Sequence, residues 1–460
     1  MEHAYLFKGL LTENGWLENV KITVDNLGKI TSITPNTPLT TEEWVNGYAL
    51  PGFQNAHSHA FQYAMAGLAE YHEGQSTPDD FWSWRTAMYN LALSISPEQL
   101  EAIATMLYAE MVRHGYTAVA EFHYLHHDKN GKPYTNLAEH GERLIAAAKN
   151  AGIAITLVPM FYQKGGFGQP AEDKQKRFIS AHITDYYNLL EASNQATACY
   201  TNANLGIGIH SLRAVEANAI IEVCNTLKDH QPFHIHISEQ LKEIEDCLSF
   251  YNKRPVEWLL ENCNVNNNYH LVHATHLNKQ EVEGIAKAQA NVVICPTTEG
   301  NLGDGLFAFA HYKSLEGRWS IGTDSHVSLN PFEEIRLLDY GQRLTTHKRH
   351  TFFKPNYGDS GFNAIKMAWT AGKKAMGQTT QDFFKIGQGF DAVVLDANAP
   401  LIASSSTKNL CNTMVYASDP AQILGTIVNG KWIVKQGIHN KKDEITSKFI
   451  STMKALGSRL

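Results

Sequence analysis

The two ends of the chain alternate between apolar and polar residues and are broken by turn dipeptides. Residues 20–24 and 30–33 are such runs near the start, and residues 391–396 are one near the end. Alternation with a period of two predicts strands that bury one face. Asn429-Gly430 between two further runs predicts a hairpin. We therefore predict a small β-sandwich domain assembled from both termini, residues 1–50 and 385–460.

Between these ends, apolar runs alternate with longer stretches of helical periodicity, such as residues 97–114 and 214–227. Buried parallel strands read as continuous apolar runs, as Val292-Val293-Ile294 does. Eight runs occur in order, and they end near His57/His59, His123, Pro159, His210, His236, His273, Pro296 and Asp324. Eight strand-then-helix units predict an α/β fold, a (β/α)8 TIM-type barrel over residues 51–384.

Composition and charge narrow the class of protein. The chain has 460 residues, 43% of them hydrophobic, and a net charge of −7 with dispersed lysines and arginines. This argues against a nucleic-acid partner, which needs a clustered basic face. We expect no signal peptide and no membrane span, since no apolar stretch approaches ~20 residues. Six cysteines without a Cys-X-X-Cys pair are typical of reduced thiols, so we expect a cytoplasmic protein.

A candidate metal site begins with His57-Ser58-His59. On a strand, residues i and i+2 point to the same side, so both imidazoles can face one ion. His236 and Asp324 follow other predicted strands, and a buried aspartate is costly unless it is paired or binds metal. Each residue alone is more simply read as an ordinary polar side chain, but their shared position at strand ends favours metal binding.

Three histidines and a carboxylate suit a zinc-like ion, which supplies an activated water at neutral pH. One metal is the better prediction, because strands three and four contain no lysine for a carbamate bridge and Lys164 lies only beyond strand three. Glu239 follows His236 at a spacing that lets its carboxylate approach a reacting water without binding the metal. For His234, two residues before His236, core packing is the favoured interpretation.

At these residues the chain resembles the amidohydrolase superfamily, in its mononuclear deaminase branch. Within it, the closer resemblance is to the formimidoylglutamate deiminases of histidine degradation. That resemblance covers nearly the whole chain and rests on five strings: HSHAFQ running into AMAGLAE (57–70), FWSWR (81–85), EFHY (121–124), HSLR (210–213) and VHATH (272–276).

The resemblance implies a role for each candidate residue. It implies that His57, His59, His236 and Asp324 bind one Zn²⁺ per subunit, and that Glu239, His273 and Asp324 are catalytic. It further implies substrate binding by Gln62, Arg85, Tyr124, His210 and Arg213. The reaction would be the zinc-dependent hydrolytic deimination of N-formimidoyl-L-glutamate to N-formyl-L-glutamate and ammonia, in a homodimer.

The chemistry of this small-molecule substrate agrees with the sequence. A dicarboxylate amidine needs separated cationic anchors, and guanidinium groups suit carboxylates better than ammonium groups do. Arg85 follows Thr77-Pro78-Asp79-Asp80, which resembles a helix start. Arg213 directly follows strand four. From the residues alone, a packed surface role for Arg85 and an ordinary first-turn role for Arg213 stay open.

Three alternatives also stay open at this stage. A ring deaminase of the same superfamily, acting on guanine or an adenosine-like compound, would share every metal residue. A barrel retained for binding without catalysis would be expected to lose metal ligands, whereas this set is complete. Buffering of metal by the 22 histidines is disfavoured by their place at strand ends.

Overall fold

A sheet of eight strands unites the two ends of the chain. The computed structural model describes residues 2–38, 44–68, 70, 81–349, 351–355 and 358–457. The strands run in the order β17-β16-β15-β14-β4-β1-β2-β3. Their bounds are β1 (His3–Thr12), β2 (Gly15–Val24), β3 (Ile30–Thr34), β4 (Trp44–Pro51), β14 (Ala392–Asp396), β15 (Ile423–Val428), β16 (Lys431–Lys435) and β17 (Ile438–His439). The predicted β-rich unit built from both termini is therefore confirmed.

The middle of the chain forms a parallel barrel. Its strands follow one another in the order β5-β6-β7-β9-β10-β11-β12-β13, and a short strand β8 pairs with β7 at one side. The bounds are β5 (Phe53–Ser58), β6 (Tyr116–His123), β7 (Ala154–Phe161), β8 (Ala203–Leu205), β9 (Ile207–Ser211), β10 (Phe233–Ile237), β11 (Tyr269–His273), β12 (Asn291–Ile294) and β13 (Arg318–Ile321). A bridge between Ser58 and Asp324 brings the last strand back to the first. The predicted (β/α)8 barrel is confirmed.

Helices connect the barrel strands and continue into the C-terminal part of the chain. Ser96 caps α2 in a capping box with Gln99, before Pro97 at the first helical position. The bounds are α1 (Phe81–Ser94), α2 (Pro97–Arg113), α3 (Glu139–Ala151), α4 (Ile183–Thr197), α5 (Ala217–Asn225), α6 (Leu241–Tyr251), α7 (Pro255–Asn262), α8 (Lys279–Lys287), α9 (Pro296–Leu302), α10 (Phe309–Ser314), α11 (Pro331–Thr346), α12 (Ser360–Ala375), α13 (Pro400–Ala403), α14 (Leu410–Ala417) and α15 (Lys442–Leu456). Within the described ranges, no helix combines the length and apolarity that crossing a bilayer would need.

The two ends of the barrel differ in the side chains that the strands carry there. At the starting end, His234 is fully buried, stacks on His270 and contacts the Ala375 carbonyl at 3.2 Å through Nε2. This agrees with the core-packing interpretation of His234. At the other end, Gly322 follows β13, and a Cβ there would approach Cβ of His57 to 2.7 Å. The absence of a side chain at Gly322 therefore lets the last strand pack closely against the His57-Ser58-His59 segment.

Candidate metal centre and active site

Four predicted metal ligands meet at one point at the carboxyl end of the barrel. Nε2 of His236 lies 3.1 Å from Nε2 of His57 and 3.3 Å from Nε2 of His59. Oδ1 of Asp324 lies 3.3 Å from Nε2 of His57 and 3.4 Å from Nε2 of His59. Tetrahedral coordination of zinc at ~2.1 Å would separate ligand atoms by ~3.4 Å. These four separations are close to that value, as expected for atoms that bind one ion, and His57, His59 and Asp324 form a group of possible metal ligands within 4.8 Å of one another.

Hydrogen bonds to the second ring nitrogen orient two of these three imidazoles. Nδ1 of His59 lies 2.9 Å from the Phe122 carbonyl, and Nδ1 of His236 lies 3.0 Å from the His210 carbonyl. Because a carbonyl only accepts, each Nδ1 carries the hydrogen and each Nε2 presents a lone pair. Two lone pairs facing each other at 3.3 Å repel unless a cation lies between them. This donor set therefore fits a divalent metal of the zinc type.

Protonation of the four groups also suits metal binding. Burial lowers the pKa of His57 to about 3, and burial likewise lowers the pKa values of His59 and His236. Burial alone would raise the pKa of Asp324, but a hydrogen bond with His57 and the charges of His57, His59 and His273 lower it overall. Neutral imidazoles and an ionised carboxylate are the forms that bind metal.

His273 lies beside the metal ligands with a different charge state. Its Nδ1 is 3.2 Å from Oε1 of Glu299, and its Nε2 is 3.9 Å from both Glu239 and Asp324. Burial acts to lower the pKa of His273, but these three carboxylates raise it to about 10. A pKa raised in this way favours the protonated form of His273, whose Nε2 faces the space between Glu239 and Asp324.

Glu239 follows β10 and is held there by its own backbone. Its N–H donates to Oε2 of Glu243 at 3.0 Å, and the N–H of Ser238 donates to Oε1 of the same carboxylate at 3.1 Å. Burial raises the pKa of the Glu239 carboxyl, while the positive charges of His273 and Arg213 oppose this rise. A carboxyl group with a raised pKa, close to a protonated imidazole, is suited to moving protons.

Unusual backbone conformations gather at the same strand ends. His273 and Asp324 both have positive φ, at 67° and 46°, and so do their neighbours Ser238, Ala274 and His326. Residues with a Cβ seldom adopt this left-handed region, and such conformations concentrate at functional sites. The sequence predicts that the eighth barrel strand ends near Asp324, and the observed end is earlier. Strand eight ends at Ile321, and the turn after it carries Asp324 back toward the histidines.

A narrow cavity of about 50 Å³ opens beside the metal ligands. All the predicted site residues line it except His57, which is fully buried behind them. Gln62 donates from Nε2 to the Tyr124 hydroxyl at 3.0 Å. His210 contacts Oγ of Ser211 at 3.1 Å through Nδ1, and its carbonyl accepts from His236. The structure thus brings together the residues that the resemblance implied.

Both predicted arginines reach this cavity. Arg213 follows β9, and its Nη1 is buried without a hydrogen-bond partner among the described residues. Arg85, on α1, donates from Nε to the Tyr89 hydroxyl at 2.9 Å. Trp84 also lines the cavity. The predicted helix start at Thr77-Pro78-Asp79-Asp80 lies outside the described residues, as do the side chains of Phe81 and Trp82.

Two acidic residues support the site in ways that the sequence analysis did not assign. Glu121 is buried on β6 and accepts from Oγ of Ser58 at 2.6 Å, from the N–H of Ala60 at 2.6 Å and from the Tyr108 hydroxyl at 2.9 Å. It therefore fixes the segment that carries the first two histidines. Glu299, on α9, orients His273. Their signal was an acidic residue inside a mostly apolar strand and one three residues after a strand-end proline.

Lys164 does not approach the metal ligands. Its Nζ forms an ion pair of 2.5 Å with Glu216. This arrangement gives no support to a lysine carbamate, in agreement with the sequence analysis. All six cysteines are free, and only Cys199 is exposed.

Comparison with known proteins identifies the family of this chain. The amidohydrolase family model matches residues 48–433. The chain is 40% identical over 454 residues to a formimidoylglutamate deiminase from Pseudomonas aeruginosa, covering 98% of this chain and 99% of that protein. It is 24% identical to a 5-methylthioadenosine/S-adenosylhomocysteine deaminase from Thermodesulfovibrio yellowstonii, over 95% of this chain and 92% of that one.

Solved structures share the fold. The crystal structure of an amidohydrolase from Brucella melitensis matches with a TM-score of 0.92 and 38% identity, covering 99% of both chains. A guanine deaminase from C. acetobutylicum matches with a TM-score of 0.74 and 19% identity, covering 94% of this chain and 100% of that one, and this shows the fold alone. The family match, the long 40% identical alignment and the converging ligands lead to one conclusion: this chain belongs to the amidohydrolase family and is a hydrolase of C–N bonds.

Proposed function

We propose that the chain hydrolyses N-formimidoyl-L-glutamate to N-formyl-L-glutamate and ammonia, a step of histidine degradation. The observation that carries this proposal is the pair of arginines, Arg85 and Arg213, in one cavity with Glu239 and His273. Two guanidinium groups suit the two carboxylates of the substrate. The long alignment with the P. aeruginosa deiminase supports the same choice.

We propose that His57, His59, His236 and Asp324 bind one zinc ion in each subunit. When bound, zinc supplies an activated water and polarises the group that is attacked. The fit of the four ligand atoms supports this role, as does the backbone hydrogen bonding of the imidazoles.

The remaining chemistry is proton transfer by the residues of this chain. Glu239 accepts a proton from the attacking water as its oxygen bonds to the formimidoyl carbon. The protonated His273 donates a hydrogen bond to the attacking oxygen and stabilises the partial negative charge on it. Glu239 then donates its proton to the terminal nitrogen, while Asp324 accepts the hydrogen of the hydroxyl group that the attack formed. The C–N bond to that nitrogen breaks, ammonia leaves, and the carbonyl of the formyl group forms. Asp324 can share the first proton, because its Oδ2 also faces His273 at 3.9 Å.

The test of this function is ammonia release by purified, zinc-loaded protein. We expect turnover of N-formimidoyl-L-glutamate, and no comparable turnover of guanine or S-adenosylhomocysteine. The ring deaminase is the alternative that the deaminase relatives keep open. Turnover of either ring compound with no activity on the linear amidine would establish the alternative instead.

Arg213→Met is expected to raise KM for N-formimidoyl-L-glutamate by ~10–100-fold, because hydrogen bonds to charged groups contribute ~1.5–3 kcal/mol. Zinc content should not change, since Arg213 does not contact the four ligands. Steady-state kinetics together with metal analysis measure both effects. The exposed Arg349→Met is the matched control. Reduced zinc with unchanged substrate affinity would contradict the assignment.

We further propose a homodimer in the cytoplasm. The homodimer is proposed from the likeness to the family alone, and the cytoplasmic location from the reduced state expected of the cysteines.

A further inference from the structure

Two buried tyrosines lie between the arginines of the cavity. Tyr89 is on α1 and Tyr162 comes directly after β7. They are only 3% and 1% exposed, and both line the cavity. The sequence analysis gave neither of them a role. Buried hydroxyls at a ligand cavity usually have a partner, so their hydrogen bonds are informative.

Gln175 connects these two tyrosines. It is fully buried, and its Nε2 donates to the Tyr89 hydroxyl at 3.2 Å and to the Tyr162 hydroxyl at 3.0 Å. Its Oε1 accepts from the N–H of Glu172 at 2.8 Å. Because a backbone N–H only donates, this contact fixes the amide orientation, with the NH₂ group toward the tyrosines.

The two tyrosine hydroxyl hydrogens can each be followed to a possible acceptor. The Tyr89 oxygen accepts from Gln175 and from Nε of Arg85 at 2.9 Å, and the Tyr162 oxygen accepts from Gln175. Each tyrosine still has its own hydroxyl hydrogen to donate. One tyrosine can donate its hydroxyl hydrogen to the oxygen of the other. The hydroxyl hydrogen of that second tyrosine then has no acceptor among the described residues. At least one hydroxyl hydrogen is therefore available to a ligand in the cavity.

The surroundings keep the Tyr162 hydroxyl as a donor. Burial raises the pKa of Tyr162 to about 12, against the opposing charges of Arg213 and Arg85. The guanidinium of Arg85 lies 5.2 Å from the centroid of the Tyr89 ring, which packs against Phe178. The unpartnered Nη1 of Arg213 and a tyrosine hydroxyl donor are complementary to a carboxylate.

We propose that Tyr89 and Tyr162, held by Gln175, bind a substrate carboxylate together with the two arginines and so determine specificity for acidic linear amidines. This inference rests on the proposed function. Tyr89 and Tyr162 contact the substrate, whereas Gln175 is a positioning residue that directs their hydrogens into the cavity. Uncharged amidines would leave these donors buried and unsatisfied, which makes them poor substrates.

The test pairs Tyr89→Phe and Tyr162→Phe with substrates that each lack one carboxylate. Phenylalanine keeps the ring contacts and removes only the hydroxyl. The substrates are N-formimidoyl-L-glutamate, N-formimidoyl-4-aminobutyrate without the α-carboxylate, and N-formimidoyl-L-2-aminobutyrate without the side-chain carboxylate. We expect at least one variant to lose ~10-fold or more in kcat/KM on the full substrate. We expect that loss to disappear with one of the shortened substrates, because its missing carboxylate is the group that the hydroxyl binds.

A matched control is Tyr186→Phe. The Tyr186 hydroxyl is equally buried, but it binds the backbone carbonyls of Gly208 and Pro159 and does not line the cavity. This variant should lose stability without any dependence on the carboxylates. An equal loss on all three substrates in both cavity variants, or no loss in either, would overturn the proposal.

Gln175→Glu tests the positioning role. A carboxylate only accepts, so it would draw the tyrosine hydrogens away from the cavity. We expect a loss at least as large as in the phenylalanine variants, with the same dependence on one carboxylate. Gln175→Glu with unchanged KM and kcat would contradict its role.

Calorimetric titration with N-formyl-L-glutamate separates this inference from the proposed reaction. One outcome is that the protein does not hydrolyse N-formimidoyl-L-glutamate and yet binds N-formyl-L-glutamate more weakly after loss of a tyrosine hydroxyl. That result would support the proposed carboxylate site and contradict the proposed reaction. If wild type does not bind N-formyl-L-glutamate, or all variants bind it equally, the carboxylate site fails.

Discussion

Replacement of Glu239 by glutamine is expected to lower kcat by ~10²–10⁴-fold, the range for loss of a general acid–base group. Glutamine keeps the size of the side chain and can still contact the substrate, but it neither accepts the proton of the attacking water nor delivers one to the leaving nitrogen. The loss should appear in kcat much more than in KM, since the group acts on the transition state.

Zinc content separates this effect from damage to the metal centre. Glu239 is not one of the four ligands, so the variant should bind as much zinc as wild type. Glu245→Gln, an exposed change on the following helix, is the matched control and should behave like wild type. A zinc-loaded Glu239→Gln protein with near-normal kcat would remove Glu239 from the mechanism.

The barrel could be predicted because its strands are buried on both faces. Val292-Val293-Ile294 is a fully apolar run, and β12 is fully buried. The convergence of the four candidate metal ligands could be predicted because histidine and aspartate are unusual where such runs end. Their proximity then follows from the fold, because the barrel places the carboxyl ends of all its strands at one face.

The supporting contacts could not be predicted, because they depend on partners far apart in the chain. Glu299 contacts His273 across 26 residues, and Gln175 contacts Tyr89 across 86. Nothing in the local pattern around Gln175 indicates which tyrosines its amide reaches. The end of β13 could not be predicted either, because Asp324 has a positive φ and forms a bridge with Ser58, which is distant in the chain.

The metal centre itself gives the second large effect. Asp324→Asn is expected to lower kcat/KM by ~10³-fold or more and to reduce zinc content. The substitution removes the only negative charge among the four ligands. The other three are neutral, since burial lowers the pKa values of His57, His59 and His236. Three neutral imidazoles hold a divalent cation less tightly than three imidazoles with a carboxylate do.

Thermal unfolding provides a measurement that does not depend on turnover. A ligand that binds only the folded state stabilises it, so adding zinc to chelator-treated wild type should raise Tm and restore activity. Asp324→Asn should show a much smaller rise in Tm, because the three remaining Nε2 atoms lack the anion that balances the ion's charge. The exposed Asp443→Asn should respond as wild type does. An Asp324→Asn protein with full zinc content and the same zinc-dependent Tm would mean that the four converging atoms do not form the metal site.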